Sequence, residues 1–492
     1  MAAPKFAAQA IRKTAELGWR PVHLLGVGSS PIDAVLVPAG VENSRGVISA
    51  SSFKETGNPP WVDDEGMKSW VGIGSLVIYF LMSLVGNAGV RTGVPYPVLA
   101  RASFGIWGAN IPALVRAIVA CFWYGAQTSA ASGAIVALLT RMDSFKSFHA
   151  STHLLGHSGL EVICFVVVWA LQLLIIQRGM ETVRRFQDWA GPAVWVMMLI
   201  LAIGLCVKAG GISLTSSIPQ DVLLDKTKDA GVSGEPGSIA SLFAVAATWI
   251  TYFAALYLNF CDFSRYAPDV TAVRKGNIWG LPVNLILFSL VAGVTTIAAF
   301  QVYHEVLLHP DQISAKFDSW LLALLAALTF AVATLGINVV ANFVSPAFDF
   351  SNVFPRYINF KKGGYIAALI ALVLYPFAPW EGSAASFVGM IGSTMGPIFG
   401  VMMVDYYLIA KGAVDVPALY QENGEYRYQN GWSVRAIVAA AVGALFSSVL
   451  PNFTSLLPDW WGVYGWFFGV GIAGAVYYAL RAAEPSPVNK PA

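Results

Sequence analysis

Residues 320–347 read WLLALLAALTFAVATLGINVVANFVSPA, from Trp320 to Ala347, and hold no Asp, Glu, Lys or Arg. The hydrocarbon core of a bilayer is about 30 Å thick and is crossed by about 20 apolar residues in a helix. Lipid gives backbone N–H and C=O groups no partners, so only a helix or a closed barrel can sit there. A barrel strand alternates apolar and polar residues with period two, and this stretch does not. It reads as a membrane helix with two asparagines, Asn338 and Asn342, inside it.

Ten further runs of this kind lie near 70–90, 109–140, 159–178, 189–210, 239–262, 278–303, 364–380, 385–410, 434–450 and 463–481. Eleven spans make an all-α polytopic membrane protein. Composition agrees: the 492 residues are 56% hydrophobic and 12% charged, against roughly 25% charged in a soluble domain. The 30 basic and 28 acidic residues nearly cancel, and nearly all fall in short gaps between apolar runs. That pattern indicates a lipid bilayer and argues against a nucleic-acid partner. Trp320, Trp380, Trp460 and Trp461 crowd the ends of runs, as in an aromatic belt. Cys121, Cys164, Cys206 and Cys261 lie within or beside apolar runs without CxxC spacing, and read as small buried side chains.

The loops give orientation. One alternating set carries Arg91 and Arg101, then Arg178, Arg184 and Arg185, then Arg265, Arg274 and Lys275, then Arg356, Lys361 and Lys362. The other set is poorer in net positive charge; residues 221–235 hold Asp221, Asp225, Asp229 and Glu235 against Lys226 and Lys228. The positive-inside rule places the first set, and with it the C-terminus, in the cytoplasm. The location implied is the plasma (inner) membrane. Run 70–90 then starts outside, so a basic N-terminus (Lys5, Arg12, Lys13, Arg20) on the inside requires an earlier crossing. The candidate is 22–40, VHLLGVGSSPIDAVLVPAG, interrupted by Pro31 and Asp33. A discontinuous helix at a transport site has such a composition, and so does a segment that does not span. No apolar stretch ends in a secretory cleavage site. The organisation expected is an N-terminal segment 1–68, a membrane-helix core 69–410, a cytoplasmic loop 411–433, two C-terminal helices in 434–481 and a tail 482–492.

Polar groups inside a membrane are expensive and each needs a reason. Trp123 and Gln127 stand at i and i+4, on one helix face. An indole plane beside a carboxamide can stack on a flat ring and bond its N–H/C=O edge; packing with an interhelical hydrogen bond is the plainer alternative. Asn338 and Asn342 repeat the spacing and either glue helices or line a polar cavity. Arg116 snorkels or pairs. Asp262 with Arg265, and Asp349, near cytoplasmic helix ends, read as structural ion pairs, with coupling or gating as the alternative. Gly469 to Gly474 matches GxGxxG, but inside an apolar run it reads as close helix packing. His304 and His309 are i, i+5, which splits them around a helix, and His149, His153 and His157 share a face only if their loop is helical. No metal site is expected.

The stretch Pro95-Tyr96-Pro97-Val98-Leu99-Ala100-Arg101-Ala102-Ser103-Phe104-Gly105, followed by Trp123-Tyr124-Gly125-Ala126-Gln127-Thr128, resembles the nucleobase:cation symporter-1 family. So do Asp262-Phe263-Ser264-Arg265-Tyr266-Ala267-Pro268, the Asn338…Asn342 segment, Pro355-Arg356-Tyr357-Ile358-Asn359-Phe360 with Gly363-Gly364, and Gly396-Pro397 leading to Asp405-Tyr406-Tyr407. The likeness runs from about 69 to 450, in order. It implies a leucine-transporter-type inverted repeat of five plus five helices, with two C-terminal helices, in a secondary symporter for a nucleobase or related planar heterocycle: uracil, cytosine, purine, allantoin or hydantoin type. By the same resemblance Trp123 is the stacking aromatic, Gln127 the amide reader, and Asn342 the ring-binding asparagine with Asn338 beside it. Phe253, nine residues before Asp262, takes the place of a second stacking Trp.

Two departures from the family pattern carry consequences. Where a Na⁺-coupled relative has a Ser-Thr pair before the first Asn, this chain has Gly336-Ile337. Ala333, Gly336 and Ile337 thus form a degenerate cation site lacking two oxygens that a hard cation wants, so the expected coupling ion is H⁺ rather than Na⁺. Residues 1–60 do not resemble the family's first helix, which leaves an impaired or non-transporting homologue as the alternative. A membrane-embedded enzyme would need paired carboxylates, a His cluster or a nucleophile–base pair at bilayer depth, and the sequence offers none. No cofactor is expected.

Overall fold

The computed structural model describes residues 65–481 apart from 155, 178–179, 212–238, 306–315, 318 and 375–383. The candidate span 22–40, the acidic loop 221–235, Trp380, His309 and the tail 482–492 lie outside the described residues.

Each of the eleven apolar runs carries helix. The order is α1 (Glu65–Thr92), the short α2 (Tyr96–Leu99) and α3 (Arg101–Phe104), α4 (Asn110–Leu139), α5 (Asp143–Ser151), a hairpin of β1 (His153–Leu154) and β2 (His157–Ser158), α6 (Gly159–Gln177) and α7 (Met180–Lys208). Then come α8 (Ile239–Tyr252), α9 (Ala254–Asn259), α10 (Cys261–Ser264), α11 (Val270–Ile278), α12 (Asn284–Tyr303), α13 (Trp320–Ile337), α14 (Ser345–Val353) and α15 (Phe360–Leu374). The chain continues through α16 (Ala384–Met403), α17 (Val434–Ala444), α18 (Leu450–Phe453), α19 (Asp459–Val463) and α20 (Gly465–Arg481). Among the described residues, five continuous helical stretches, Gly74–Thr92, Asp188–Lys208, Val270–Tyr303, Trp320–Val353 and Val434–Phe453, pass a strict test of length and apolarity for crossing a membrane.

Five runs are not uniform helices: two turn π-helical near their ends, at Val404–Ile409 and Leu445–Val449, and three are interrupted nearer the site. Run 239–262 breaks at Phe253, whose φ of −82° and ψ of 1° leave the helical region between α8 and α9. No Gly or Pro marks that break. Residues Trp279–Val283 join α11 to α12 as a π-helical turn around Pro282, and Asn338–Val344 join α13 to α14 the same way just before Pro346. A π turn bonds i to i+5, and the residue five beyond Ala341 is Pro346, which has no N–H to give. The orphaned Ala341 carbonyl accepts from Arg116 Nη2 at 2.8 Å. Arg116 is fully buried on α4, so it does not snorkel.

The centre of the molecule is α4 lying along α13 and α14, flanked by α6 and α15. Against this group stand α1 with α8, α10 and α11, while α7 packs on α12 and α13. α16, α17 and α20 pack on one another, and α16 also packs on α8 and α9, with Tyr257 against Phe399 and Trp466. α16 and α20 approach so closely that a Cβ at Gly400 would meet the Val470 backbone and one at Gly469 would lie 2.7 Å from the Pro397 ring. The GxGxxG run is thus a packing surface.

One end of the bundle is closed by the 411–433 segment folded beneath α2 and α3. Gly431 O accepts from the Trp107 and Gly108 amides at 2.8 and 3.0 Å, and the Ser433 amide donates to Phe104 O at 2.8 Å. Arg101 reaches from this hairpin to Leu419 O at 2.9 Å and Asn352 Oδ1 at 2.6 Å. The buried Asp405 accepts from Ser103 Oγ at 3.0 Å and Tyr477 Oη at 2.7 Å, tying the hairpin to α20. Arg265 sits at the same end, but its guanidinium lies over Tyr266 and Phe348. The expected Asp262–Arg265 ion pair is therefore corrected: Asp262 Oδ1 accepts from the Tyr96 amide at 2.7 Å instead.

The histidines do not share a helix face. α5 ends at Ser151, and His153 and His157 fall on the hairpin strands. His149 Nδ1 pairs with Ser158 Oγ at 2.6 Å, and His157 lies 3.6 Å from Glu161. α12 ends at Tyr303 with His304 in the left-handed region, so the His304 box does not begin on a helix.

Candidate substrate site

The two amide-bearing faces read from spacing meet at the crossing of α4 with the π turn 338–344. Asn342 Nδ2 donates to Gln127 Oε1 at 2.9 Å and to Asn338 Oδ1 at 3.1 Å. Asn338 Nδ2 is held in turn by Gln172 Oε1 at 2.8 Å, Thr128 Oγ1 at 3.1 Å and Tyr124 O at 3.1 Å. Gln172 Nε2 donates to Thr128 Oγ1 at 3.0 Å. All four carboxamides are buried, Asn338 and Gln172 completely. A buried amide left unpaired costs about 1–3 kcal/mol, which explains why they form one relay from α6 through the π turn to α4.

The relay has a direction. Both hydrogens of Asn342 Nδ2 are committed to acceptors, and among the described residues no donor reaches its Oδ1. Asn342 thus presents an acceptor. Turning its amide over would set its oxygen against Asn338 Oδ1 and Gln127 Oε1.

An aromatic wall stands beside the relay. Trp123 is half-buried and meets Tyr252 edge-on, with centroids 5.2 Å apart and 72° between planes. Tyr252 is the last residue of α8, so the helix break turns it toward α4. Phe253 is fully buried; it stacks on Trp249 at 6.3 Å and meets Tyr252 at 5.8 Å. The structure therefore brings Trp123, Gln127, Asn338 and Asn342 together, and places Phe253 behind Tyr252 and Trp249. Tyr252 and Gln172 were missed by the sequence reading. Gln172 had a signal, being an amide in the middle of an apolar run. Tyr252 had none, because its orientation depends on the unmarked break.

The positions expected for a cation lie in the last turn and a half of α13, just before Asn338. Ala333, Gly336 and Ile337 are buried, and Gly336 and Ile337 contribute no side-chain oxygen. A hydroxyl there is Thr334 Oγ1, which is buried and, among the described residues, has no hydrogen-bond partner.

Long apolar helices, a mid-helix break and a polar relay at a helix crossing define a helical membrane transporter. Residues 67–477 match the family described as permease for cytosine/purines, uracil, thiamine, allantoin. The chain belongs to this nucleobase:cation symporter-1 family. It is 36% identical to the allantoin permease of Bacillus subtilis (strain 168), over 84% of this chain and 82% of that one. It is 34% identical to the purine-uracil permease NCS1 of Arabidopsis thaliana, over 85% of this chain and 71% of that one. Among solved structures, Mhp1, a nucleobase-cation-symport-1 family transporter, in a closed conformation with bromovinylhydantoin bound, superposes with a TM-score of 0.70 at 19% identity, covering 92% of this chain and 95% of that one. MhsT in complex with L-phenylalanine gives 0.51 at 11% identity, covering 90% and 97%. The fold is the expected leucine-transporter-type inverted repeat with further C-terminal helices.

Proposed function

We propose that this protein is a proton-coupled symporter of the plasma membrane that imports a small planar heterocycle by alternating access, with its C-terminus in the cytoplasm. The observation that carries the reading is the directed amide relay beside Trp123. An acceptor at Asn342 Oδ1 asks for a ring N–H, and the adjoining Gln127 carboxamide suits the neighbouring C=O. Hydantoins, allantoin and uracil carry such an edge. The likeness to the allantoin permease of Bacillus subtilis puts allantoin first on the panel. Substrate would enter and leave unchanged, so no covalent step is assigned. Proton coupling is favoured because Gly336 and Ile337 remove side-chain oxygens that a Na⁺ site needs.

The test is uptake of labelled allantoin, hydantoin, uracil, cytosine and thiamine into cells expressing the protein. Saturable uptake of at least one ring with an N–H/C=O edge is expected. Uptake of none, from protein shown to be in the membrane, would favour an impaired homologue.

A further inference from the structure

The face that carries the amides does not stop at them. Asn338, Asn342, Ser345, Asp349 and Asn352 follow at spacings of four, three, four and three residues, the period of one helix face. The first four are buried. The stripe begins at the candidate substrate site and ends where Asn352 Oδ1 meets Arg101 and Asn352 Nδ2 meets Asn110 Oδ1 at 2.9 Å.

Asp349 is the titratable member of this stripe. It is fully buried, and among the described residues neither carboxylate oxygen has a hydrogen-bond partner. Groups face it from three sides. From α4 come Arg116 and Cys121. From the α10 region come Asp262 and Cys261. From the α2 hairpin comes Tyr96, whose hydroxyl donates to Pro112 O at 3.0 Å. Asp262 has a donor on Oδ1, the Tyr96 amide. Arg116 spends Nη2 on Ala341 O, while among the described residues its Nε and Nη1 have no hydrogen-bond partner.

The two carboxylates are held differently. Asp262 has Arg265 beside it and the Tyr96 amide on Oδ1. Asp349 has Arg116 as its counter-charge but, among the described residues, no hydrogen bond on either oxygen, and a buried carboxylate without one is expensive. A single proton on Asp349 removes that buried anion and breaks no hydrogen bond. We propose that Asp349 is the proton-binding carboxyl of the transport cycle, with Arg116 as its counter-charge. This rests on the proton-coupled reading above. In the cycle a proton from the outer water adds to a carboxylate oxygen of Asp349 by way of the polar stripe. It leaves to cytoplasmic water when the Arg101–Asn352 end opens. No other bond forms or breaks.

Asp349→Asn copies the neutral carboxyl and cannot release a proton. In proteoliposomes, with labelled allantoin or the first panel compound that the native protein takes up, the native protein should accumulate substrate when the outside is acid. One proton per substrate limits that ratio to about tenfold per unit of pH difference. Asp349→Asn should lose the accumulation while exchange of internal for external substrate persists. Accumulation driven by a pH gradient in Asp349→Asn would overturn the assignment. Should exchange be lost as well, Asp349→Glu decides: restored pH-driven accumulation supports the proton site, and its absence overturns it. Native accumulation that follows a Na⁺ gradient and ignores pH would overturn the proton site but leave the heterocycle transporter standing. Uptake of no panel compound at all would remove the functional reading first.

Discussion

At the scale of single residues, the site is a flat aromatic surface next to a fixed row of amides, and the two parts should fail differently. Stacking on an aromatic ring contributes about 0.5–1.5 kcal/mol beyond the area it buries. Trp123→Ala is therefore expected to weaken substrate binding several-fold and abolish measurable uptake while the protein still reaches the membrane; unchanged affinity in the purified variant would remove Trp123 from the site. Asn342 makes two bonds, and its Oδ1 meets no donor among the described residues. Asn338 bonds Gln172, Thr128 and Tyr124 O and is fully enclosed. Asn342→Ala should thus cost affinity, on the order of tenfold for an unpaired amide contact, with little change in melting temperature. Asn338→Ala should lower the melting temperature as well, because it strands Gln172. Equal and small effects on affinity from both would reduce the relay to helix packing. The four residues of the relay and wall that spacing could find lay in pairs at i, i+4, which fixes a shared face without knowledge of the partner helix. Gln172 comes from a different helix, α6, and no spacing within one run can announce it.

At the scale of elements, the uninterrupted apolar runs were legible and the interruptions were not. Hydropathy reports that residues 320–347 are inside the membrane; it is blind to the change of register at Asn338, since apolar side chains surround both registers. Pro346 was the available clue. By removing an N–H it frees the Ala341 carbonyl that Arg116 then caps at 2.8 Å, so an arginine in mid-span and a proline one turn past Asn342 are two halves of one arrangement. Phe253 shows the opposite case: α8 breaks there without any residue that sequence rules would flag. The π turn can be tested through its proline. Pro346→Ala removes the ring that clashes with the carbonyl four residues back in an α-helix and supplies an N–H that can bond there, so the segment can relax toward α-helix. A change of register by one residue rotates side chains by about 100°, carrying Asn342 away from Gln127. The expected result is equal or higher thermal stability with substrate affinity reduced on the order of tenfold, read by fluorescence titration and by melting in detergent. Native affinity in this variant would show that the π turn does not set the direction of Asn342.

At the scale of the whole molecule, an inverted-repeat transporter couples two sites through the relative motion of two helix groups, so the identity of the driving ion depends on what each group brings to the cation position. One group brings α13. On the proposed reading it places Ala333, Gly336 and Ile337 there, with Thr334 Oγ1 as a buried hydroxyl without a hydrogen-bond partner among the described residues. A hard cation is dehydrated only when several oxygens replace its water, and an Ile at one of those positions cannot serve. Initial uptake is therefore expected to be insensitive to replacement of Na⁺ by choline at fixed pH, and to rise as the outer pH falls at fixed Na⁺. Saturable activation by Na⁺ would show that backbone carbonyls and Thr334 suffice and that the missing oxygens were misjudged. The double substitution Gly336→Ser with Ile337→Thr restores two hydroxyls and sharpens the test. If the rest of the site is built for a cation, the variant should gain Na⁺ stimulation of several-fold. If coupling has moved to a carboxyl, Na⁺ should remain without effect while the pH response is kept. The second outcome is the one expected here, because the two hydroxyls alone leave the ion short of ligands.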